Sequence, residues 1–292
     1  MSFIAGFEHF IQPDEPLAPY TWLRLGGPAE YLAEPTSQDE LVALVKRARE
    51  ANLPVRLLGG GSNVLVREAG VRGVVVRLTA PAFCEIKTEK STITAGGGAK
   101  LGHVISTAVR EGLAGLEQLV GIPGSVGGAL HGNAGGHGGD IGQFTAQATV
   151  LTRSGQLLVR ERSDMHFAQR HSSLDELAIL SAKFELEPED PQQIARRMQT
   201  LWIVKRAEQP AGGEGAGYIF KNPRGGSAAS LIEQAGLKGV RQGSVEVSSR
   251  SANFFIAHPG AKSEDVLALM QTVENQVAER IGVRLERQID VW

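Results

Sequence analysis

The sequence predicts a mixed α/β fold divided into two or three domains. The chain has 292 residues, which is too long for one simple core. Capped helix patterns alternate with short runs that are typical of strands. A third observation is the glycine content. Glycine makes up 36 of the 292 residues (about 12%), compared with roughly 7% in average proteins, and these glycines cluster. With 42% hydrophobic and 21% charged residues, the composition excludes a disordered chain.

The first 120 residues alternate helix and strand signals. Ser37 and Glu40 form a capping-box pattern, which predicts the start of a helix. The apolar face of this helix consists of Leu41, Leu44, Val45 and Ala48. Strands are predicted near residues 55–58, 64–66, 74–76 and 91–94. A second helix is predicted over residues 101–111, with Gly112 as its stop.

The second half contains a glycine-rich stretch followed by clearer elements. Ten of the 22 residues at 121–142 are glycine, and this stretch has little periodicity. Residues 146–151 and 156–159 predict a hairpin. Pro191 predicts the first position of a helix. We expect the buried stripe of this helix to contain Ile194, Met198, Leu201 and Trp202.

The last third is predicted to be a separate α/β region. Residues 210–215 (PAGGEG) predict a mobile loop. A short helix is predicted over residues 227–235 and a longer one over 263–281, followed by a terminal strand at 283–291. The pattern places a domain boundary near residue 190.

Charge and cysteine usage predict a soluble, cytoplasmic protein. The formal net charge of −2 gives no nucleic-acid footprint. The N-terminus does not resemble a signal peptide, and no apolar run approaches the roughly 20 residues of a membrane-spanning helix. Cys84 is expected to fill space. His131 and His137 have no third ligand at metal spacing, so no metal site is expected.

The first glycine loop covers residues 59–63, which are Gly59, Gly60, Gly61, Ser62 and Asn63. A dinucleotide fingerprint opens a helix, whereas this loop leads into the strand-like residues 64–66. Successive backbone N–H groups can still form a nest that binds an anion. Taken alone, the loop is better explained as a turn between two strands.

The second glycine loop, at residues 121–128 (GIPGSVGG), is more specific. The residues expected to contact a ligand are Gly121, Ile122, Pro123, Gly124, Ser125, Gly127 and Gly128. Proline fixes one φ while the flanking glycines permit positive φ, which predicts a rigid loop with exposed N–H groups. Because ordered glycines cost the most entropy, a purely structural role is a poor explanation. The two loops together favour binding of an extended diphosphate.

Several segments resemble the UDP-N-acetylenolpyruvoylglucosamine reductase family, and their order holds over nearly the whole chain. They are residues 21–29 (TWLRLGGPA), 59–63 (GGGSN), 115–129 (GLEQLVGIPGSVGGA), 220–223 (FKNP), 231–239 (LIEQAGLKG) and 252–254 (ANF). The length is similar to that of the shorter, type II members.

The resemblance implies an α+β fold with an FAD-binding domain of the vanillyl-alcohol-oxidase type. Two FAD-binding subdomains are expected at residues 1–80 and 81–188, and a smaller substrate-binding domain at 189–292. The implied reaction is NADPH-dependent reduction of an enolpyruvyl nucleotide-sugar in peptidoglycan synthesis, with FAD carrying the hydride chemistry. A monomer with no membrane insertion is expected.

The resemblance also assigns two catalytic positions. The family has a catalytic arginine in a Tyr-Arg-x-Ser pattern, which Arg170 matches, with Gln169 in place of the tyrosine. Without the family, a surface ion pair would be the better explanation of Arg170. The family's serine proton donor is replaced by Tyr218, whose phenol could donate a proton or could only pack beside the flavin.

The remaining carried-over positions lie in the last third of the chain. Gln288 replaces the family's catalytic glutamate, and it can donate a hydrogen bond but no proton. Glu286 is expected on the same strand face and could present a carboxylate there. The substrate diphosphate is expected near Lys205, Arg206 and Asn222.

Two other functions stay open at this point. A catalytically impaired paralogue would keep flavin and nucleotide-sugar binding without turnover. The other alternative is a different flavin oxidase or dehydrogenase of the wider fold, although the IPGS and FKNP segments argue against it.

Overall fold

The computed structural model describes residues 3–136, 138–209, 215–223 and 225–292. His137 and residues 210–214 of the predicted loop therefore lie outside the described residues. The chain forms two compact units. Unit 1 consists of Met1–Asp14, Glu30–Gly60 and Arg72–Lys205, and unit 2 of Glu15–Ala29, Gly61–Val71 and Arg206–Trp292. The predicted division at residues 80 and 188 stays a prediction.

Helices occur in both units. The α-helices, in chain order, are α1 (Gln38–Glu50), α2 (Pro81–Cys84), α3 (Leu101–Arg110), α4 (Val126–His131), α5 (Pro191–Glu208), α6 (Ala228–Gln234) and α7 (Ser263–Ile281). The 3-10 helices are Ala18–Tyr20, Leu116–Leu119, Ile141–Gln143 and Arg162–Asp164.

The strands are β1 (Ile11–Pro16), β2 (Pro28–Ala33), β3 (Val55–Leu57), β4 (Val64–Leu65), β5 (Val71–Val76), β6 (Ile86–Glu89), β7 (Thr92–Gly96), β8 (Leu113–Ala114), β9 (Gly135–Gly136), β10 (Gly139–Asp140), β11 (Thr145–Leu151), β12 (Leu157–Glu161), β13 (Phe167–Ala168), β14 (His171–Ser172), β15 (Ala178–Glu185), β16 (Glu187–Pro188), β17 (Ala216–Tyr218), β18 (Arg241–Gln242), β19 (Val245–Val247), β20 (Phe254–Ala257) and β21 (Asp290–Val291).

Unit 1 contains one whole sheet and most of another, each packed against helices. One sheet has the order β1-β2-β5-β3, with β3 parallel to β5. The apolar face of α1 shares a buried cluster with Val74 and Val76 of β5. The other sheet has the order β12-β11-β15-β7-β6 and is antiparallel throughout. Its core residues pack against α3 and α4.

Unit 2 is built around an antiparallel sheet of order β17-β20-β19-β18. Residues of α6 and α7 pack on this sheet in one buried cluster, which also contains Leu23 and Leu65 from the earlier segments of the unit. The short strands β4 and β21 pair in parallel, with Asp290 opposite Val64. The prediction of an α+β fold is therefore confirmed.

Helix α1 begins with a modified capping box. The Oγ atom of Ser37 accepts the N–H of Glu40 at 3.3 Å. The carboxylate of Glu40 does not return to Ser37 but accepts the N–H of Thr36 at 2.7 Å, and Nε2 of His9 lies 2.8 Å from its Oε1. The hydrogen bond to His9, followed by that from Thr36, lowers the pKa of Glu40 to about 2.

Glu40→Gln is expected to reduce stability in a pH-dependent way. Because its folded pKa is depressed, ionised Glu40 stabilises the fold above the unfolded value of about 4.3, and this contribution is lost as the pH falls towards 2. The group is partly exposed, so the free energy of unfolding should fall by about 1 kcal/mol or less near neutral pH. Urea unfolding of both proteins near neutral pH and at about pH 2 measures this. An equal difference at both pH values would contradict the prediction.

Most predicted helices are confirmed, but one side chain of α5 is placed wrongly by the sequence. Ile194 is fully buried, whereas Trp202 is 43% exposed. Trp202 follows Ile194 by eight residues, so at 100° per residue it is turned by about 80° around the helix from Ile194. The prediction that Trp202 is buried is wrong, because it lies at the edge of the helix face. The sequence also missed α4, whose glycines hide its periodicity.

The predicted terminal strand at residues 283–291 is also wrong over most of its length. Only Asp290–Val291 forms a strand, preceded by one isolated bridge between Arg287 and Phe220. The N–H groups of Gln288 and Ile289 both donate to the carbonyl of Ile219, at 2.8 and 3.3 Å. Two successive donors on one acceptor break the alternating pattern of a ladder.

Candidate functional site

The two glycine loops contact each other inside unit 1. A Cβ atom on Gly60 would lie 2.6 Å from the Cα of Gly124, and one on Gly59 would lie 2.7 Å from the Oγ of Ser125. Carbon atoms of real side chains do not approach this closely, so the glycines allow two stretches of backbone to meet. Residues 60 and 124 are thus brought together, as diphosphate binding by both loops requires.

This contact presents several unpaired hydrogen-bond donors. Across the described part of the chain, no partner exists for the backbone N–H groups of Gly59, Gly60, Gly124 and Ser125. The next N–H group behaves differently, because Val126 donates to the carbonyl of Ala99 at 2.9 Å. We call these four N–H groups, on two glycine-rich segments that touch, the cradle. Since unpaired N–H groups on glycine-rich backbone attract anions, the cradle is a candidate diphosphate site.

The rest of the first glycine loop belongs to unit 2. Gly61 has a φ of +66°, and a Cβ there would lie 2.0 Å from the carbonyl oxygen of Tyr20, so only glycine fits. Nδ2 of Asn63 donates to the carbonyl of Gln288 at 3.1 Å, which holds the loop in place. Within the described ranges, the N–H groups of Gly61, Ser62 and Asn63 have no partner. They are further candidate donors to an anion.

The first glycine loop leads into β4 and not into a helix, as predicted. A dinucleotide fingerprint needs a helix N-terminus at this point. The geometry therefore supports the backbone-nest interpretation and excludes the fingerprint.

Arg170 lies at the tip of the β13–β14 hairpin. Its φ of +57° is unusual for a side-chain-bearing residue. Two contacts hold this hairpin within unit 1: Nδ2 of Asn133 donates to the carbonyl of Ala168 at 2.8 Å, and Oγ of Ser172 donates to the carbonyl of His131 at 3.1 Å. The half-buried guanidinium of Arg170 has no partner among the described side chains. It is available to bind a carboxylate.

Tyr218 and Asn222 lie together in unit 2. Tyr218 is half-buried in β17, and its ring packs edge-to-face on Phe254 with the centroids 5.3 Å apart. The hydroxyl of Tyr218 lies 3.5 Å from Oδ1 of Asn222, at the limit of a hydrogen bond. The same Oδ1 accepts the N–H of Ala228 at 3.0 Å, which fixes the amide group at the start of α6.

Glu286 and Gln288 have different surroundings. The carboxylate of Glu286 is 72% exposed and pairs with the ammonium group of Lys221. Oε1 of Gln288 is buried and has no hydrogen-bond partner in the described structure. Because residues 283–289 do not form a strand, the two side chains are not related by strand alternation. A buried, unpaired amide oxygen is costly, so Gln288 is the more suggestive of the two.

Lys205 and Arg206 lie near the end of α5, at the boundary between the two segments assigned to unit 1 and unit 2. In unit 1, a Cβ on Gly121 would lie 2.9 Å from Cγ of Lys205. The aliphatic part of Lys205 therefore packs on the first residue of the second glycine loop. Arg206 is exposed.

Asn253 has a structural role that the sequence did not predict, although it lies in a segment that resembles the family. Asn253 is fully buried. Its Oδ1 accepts the N–H of Phe220 at 2.9 Å, and its Nδ2 donates to the carbonyl of Phe220 at 2.7 Å. These bonds fix the backbone between Tyr218 and Asn222. The signal was available, since an amide between apolar neighbours must find internal partners.

A metal-ligand cluster and a membrane-spanning helix are both absent from the described residues. No group of three or more metal-ligating side chains occurs there. None of its helices has both the length and the apolar character that crossing a bilayer requires. Cys84 is half-buried, and burial raises the pKa of its thiol.

The two parts of the chain match two family models. Residues 29–160 match an FAD binding domain, and residues 209–292 match the C-terminal domain of UDP-N-acetylenolpyruvoylglucosamine reductase. The fold class predicted from the resemblance, with an FAD-binding domain before a smaller C-terminal domain, is confirmed.

Full-length relatives carry the same name. UDP-N-acetylenolpyruvoylglucosamine reductase from Rhodopirellula baltica is 39% identical over 284 residues, which are 97% of this chain and 93% of the relative. UDP-N-acetylenolpyruvoylglucosamine reductase 2 from Symbiobacterium thermophilum is 43% identical over 97% of this chain and 92% of its own length. The crystal structure of the Thermus caldophilus reductase superimposes with a TM-score of 0.83 and 34% identity, over 97% of this chain and 100% of that one. The chain therefore belongs to the UDP-N-acetylenolpyruvoylglucosamine reductase family.

Proposed function

We propose that this chain reduces UDP-N-acetylenolpyruvoylglucosamine to UDP-N-acetylmuramate, a step in the synthesis of peptidoglycan and hence of the cell wall. The reaction uses FAD, with NADPH as the reductant. Relatives with this name cover 97% of the chain. The observation that carries the proposal on this chain is the cradle of unpaired N–H groups where the glycine loops meet. We place the enzyme in the cytoplasm as a monomer.

The glycine loops are the proposed FAD site. In unit 1, the N–H groups of Gly59, Gly60, Gly124 and Ser125 bind phosphate oxygens. In unit 2, Gly61, Ser62 and Asn63 are proposed as cofactor-binding residues through their own N–H groups. Ile122 and Pro123 stiffen the second loop, while Gly121, Gly127 and Gly128 let the chain approach the cofactor. Bound FAD supplies the hydride chemistry of the reaction.

Arg170 is the proposed group that binds the carboxylate of the enolpyruvyl substituent. Negative charge grows on this carboxylate when the neighbouring double bond is reduced. A guanidinium stays charged at all working pH values and offers paired donors to both oxygens. Arg170 thus stabilises the charge that develops in the transition state.

The unit 2 residues take the remaining proposed roles. Tyr218 donates the proton to the substrate carbon next to the carboxylate. Gln288 donates a hydrogen bond to the developing charge, and Glu286, in its protonated form, is the alternative donor. In unit 2, Asn222 and Arg206 bind the substrate diphosphate, and Lys205 of unit 1 is a further proposed substrate-binding residue.

Turnover tests the proposed function directly. Purified protein loaded with FAD should oxidise NADPH only when UDP-N-acetylenolpyruvoylglucosamine is added, and the product should be the reduced lactyl ether. Bound flavin whose spectrum responds to the nucleotide-sugar without any turnover would overturn the proposal and indicate the impaired paralogue. Oxidation of NADPH regardless of this substrate would indicate another flavin reductase.

Tyr218→Phe is expected to lower kcat by at least about 100-fold, because it removes the proposed acid. The ring contact with Phe254 is kept, so FAD content and stability should not change. Tyr31→Phe, in unit 1, is the matched control and should keep full activity. Steady-state assays with flavin absorbance measure both quantities. Unchanged turnover would exclude the phenol as the proton donor.

A further inference from the structure

A buried carboxylate stands directly before the second glycine loop. Glu117 lies in the 3-10 helix Leu116–Leu119, and only 2% of its side chain is exposed. Its Oε2 accepts the N–H of Gly115 at 2.5 Å. Its Oε1 accepts from Nε and Nη2 of Arg197 at 3.2 and 2.9 Å. A buried carboxylate without its cation is strongly destabilising. The conformation of the 3-10 helix at residues 116–119, called the turn below, therefore depends on Arg197.

Arg197 joins this turn to a second element. Its Nη1 and Nη2 donate to the two carboxylate oxygens of Glu189 at 2.6 and 2.8 Å. The N–H of Glu189 donates to the carbonyl of Gly112, just before β8, so Glu189 is itself anchored. The hydrogen bonds to Glu189, followed by those to Glu117, raise the pKa of Arg197. The guanidinium therefore connects α5 to Glu117, which follows β8, and to Glu189, which follows β16.

Helix α5 contacts the second glycine loop, or the residues just before it, at two points. Arg197 contacts the turn that precedes the loop, and Lys205 packs on Gly121, where the loop begins. Between the helix and the rest of unit 1, Ile194 is buried in a cluster with Val109 and Ala114. The start of the second glycine loop is thus fixed from one side by a single helix.

We propose that Arg197 is a positioning residue for FAD: by neutralising buried Glu117 from α5, it holds the turn that sets the position of the second glycine loop. This inference rests on the proposed function, because it takes the glycine loops as the FAD site. Arg197 does not touch the cofactor in this proposal. It acts through Glu117 on the position of the N–H groups at Gly124 and Ser125.

Arg197→Gln is expected to weaken FAD binding. Without the guanidinium, the buried carboxylate of Glu117 would keep only the N–H of Gly115 and would have no cation, so residues 116–119 would move towards solvent and carry the second glycine loop with them. We expect an increase in the FAD dissociation constant of about 10- to 100-fold, by analogy with the range found when a group that orients metal ligands is removed. Arg197→Lys keeps the charge and should recover part of the affinity.

The experiment is a titration of flavin-free protein with FAD, run beside thermal unfolding of the same flavin-free samples. Arg196→Gln is the matched control, since it removes an exposed arginine one residue away and should leave both values unchanged. In a double-mutant cycle, Glu117→Gln combined with Arg197→Gln should cost less affinity than the sum of the two single changes.

Three results would overturn the inference. A lower unfolding temperature with unchanged FAD affinity would show that the pair only stabilises the fold. Equal weakening by Arg196→Gln and Arg197→Gln would indicate a general charge effect. Additive losses in the cycle would show that the residues act independently. If Arg197→Gln does not fold, Arg197→Lys and Glu117→Gln provide the same comparison.

A different result is expected if the glycine loops are not the FAD site at all. If Gly60→Ala still binds FAD normally, the glycine loops are not the cofactor site and the proposed function loses its main support. If Gly60→Ala loses FAD while Arg197→Gln keeps it, only the positioning role is wrong.

Discussion

Replacement of Gly60 by alanine is expected to abolish FAD binding. The new Cβ would lie 2.6 Å from the Cα of Gly124, and neither atom belongs to a side chain that can rotate away. One of the two loops must therefore move by roughly the missing distance to ordinary contact, about 1 Å. That shift separates the N–H groups of Gly60 and Gly124, which together form the cradle.

The measurement is the flavin absorbance of the purified variant, followed by FAD titration of the flavin-free protein. Gly102→Ala is the matched control. Gly102 is an exposed helical residue of α3 in unit 1, and a Cβ there would meet nothing within 4 Å. It should keep FAD and gain up to about 1 kcal/mol of helix stability. Full flavin content in Gly60→Ala would refute the loop contact as the cofactor site.

Arg170→Asn is expected to lower kcat by about a thousandfold while FAD remains bound. The proposed charge stabilisation disappears with the guanidinium, and loss of such a group typically costs 10²- to 10³-fold. Asparagine is chosen because it tolerates the φ of +57° at this position better than most residues do. Arg170→Lys should recover only part of the rate, since an ammonium lacks the paired donors.

Steady-state NADPH oxidation at saturating substrate measures this effect, with flavin absorbance as the check on folding. Arg153→Asn provides the control, because Arg153 is an exposed arginine in the turn of the β11–β12 hairpin of unit 1. It should have normal kcat. A rate for Arg170→Asn within a factor of about ten of the parent would argue against a catalytic role.

Helices with complete local signals could be predicted closely. For α1, the cap at Ser37 and the four apolar positions behind it are those observed. The predicted start and end of α7 are the observed ones, Ser263 and Ile281. In both cases the boundary is set by neighbours in sequence, namely a capping pattern or a glycine stop, so no tertiary information was needed.

Elements that depend on a distant partner could not be predicted. Residues 283–289 have an apolar alternation that predicts a strand, but they meet the chain near Ile219 out of register. Nothing in the sequence indicates where that carbonyl lies. The prediction that Trp202 is buried was wrong for a related reason, because the width of a buried helix face depends on what packs against it.

The candidate site divides in the same way. The glycine content of each loop was visible in the sequence, whereas the approach of Gly60 to Gly124 was not. The pairing of Glu117 with Arg197 joins residues 80 positions apart and has no local signature. The roles of Arg170, Tyr218, Gln288 and Glu286 came from the family resemblance and stay predictions.

The path of the chain through unit 2 also has a consequence for protein synthesis. Leu23 and Leu65 belong to the core of this unit, yet most of that core comes from residues 206–292. During synthesis on the ribosome, Leu23 and Leu65 stay exposed until residues 206–292 have been made. This delay gives aggregation and proteolysis more time to act on the incomplete chain. The pairing of Asp290 with Val64 joins two segments that are separated by most of the sequence, so the loop that it closes is long. Nascent chains that stop a few residues short would therefore lack the strand that completes the unit.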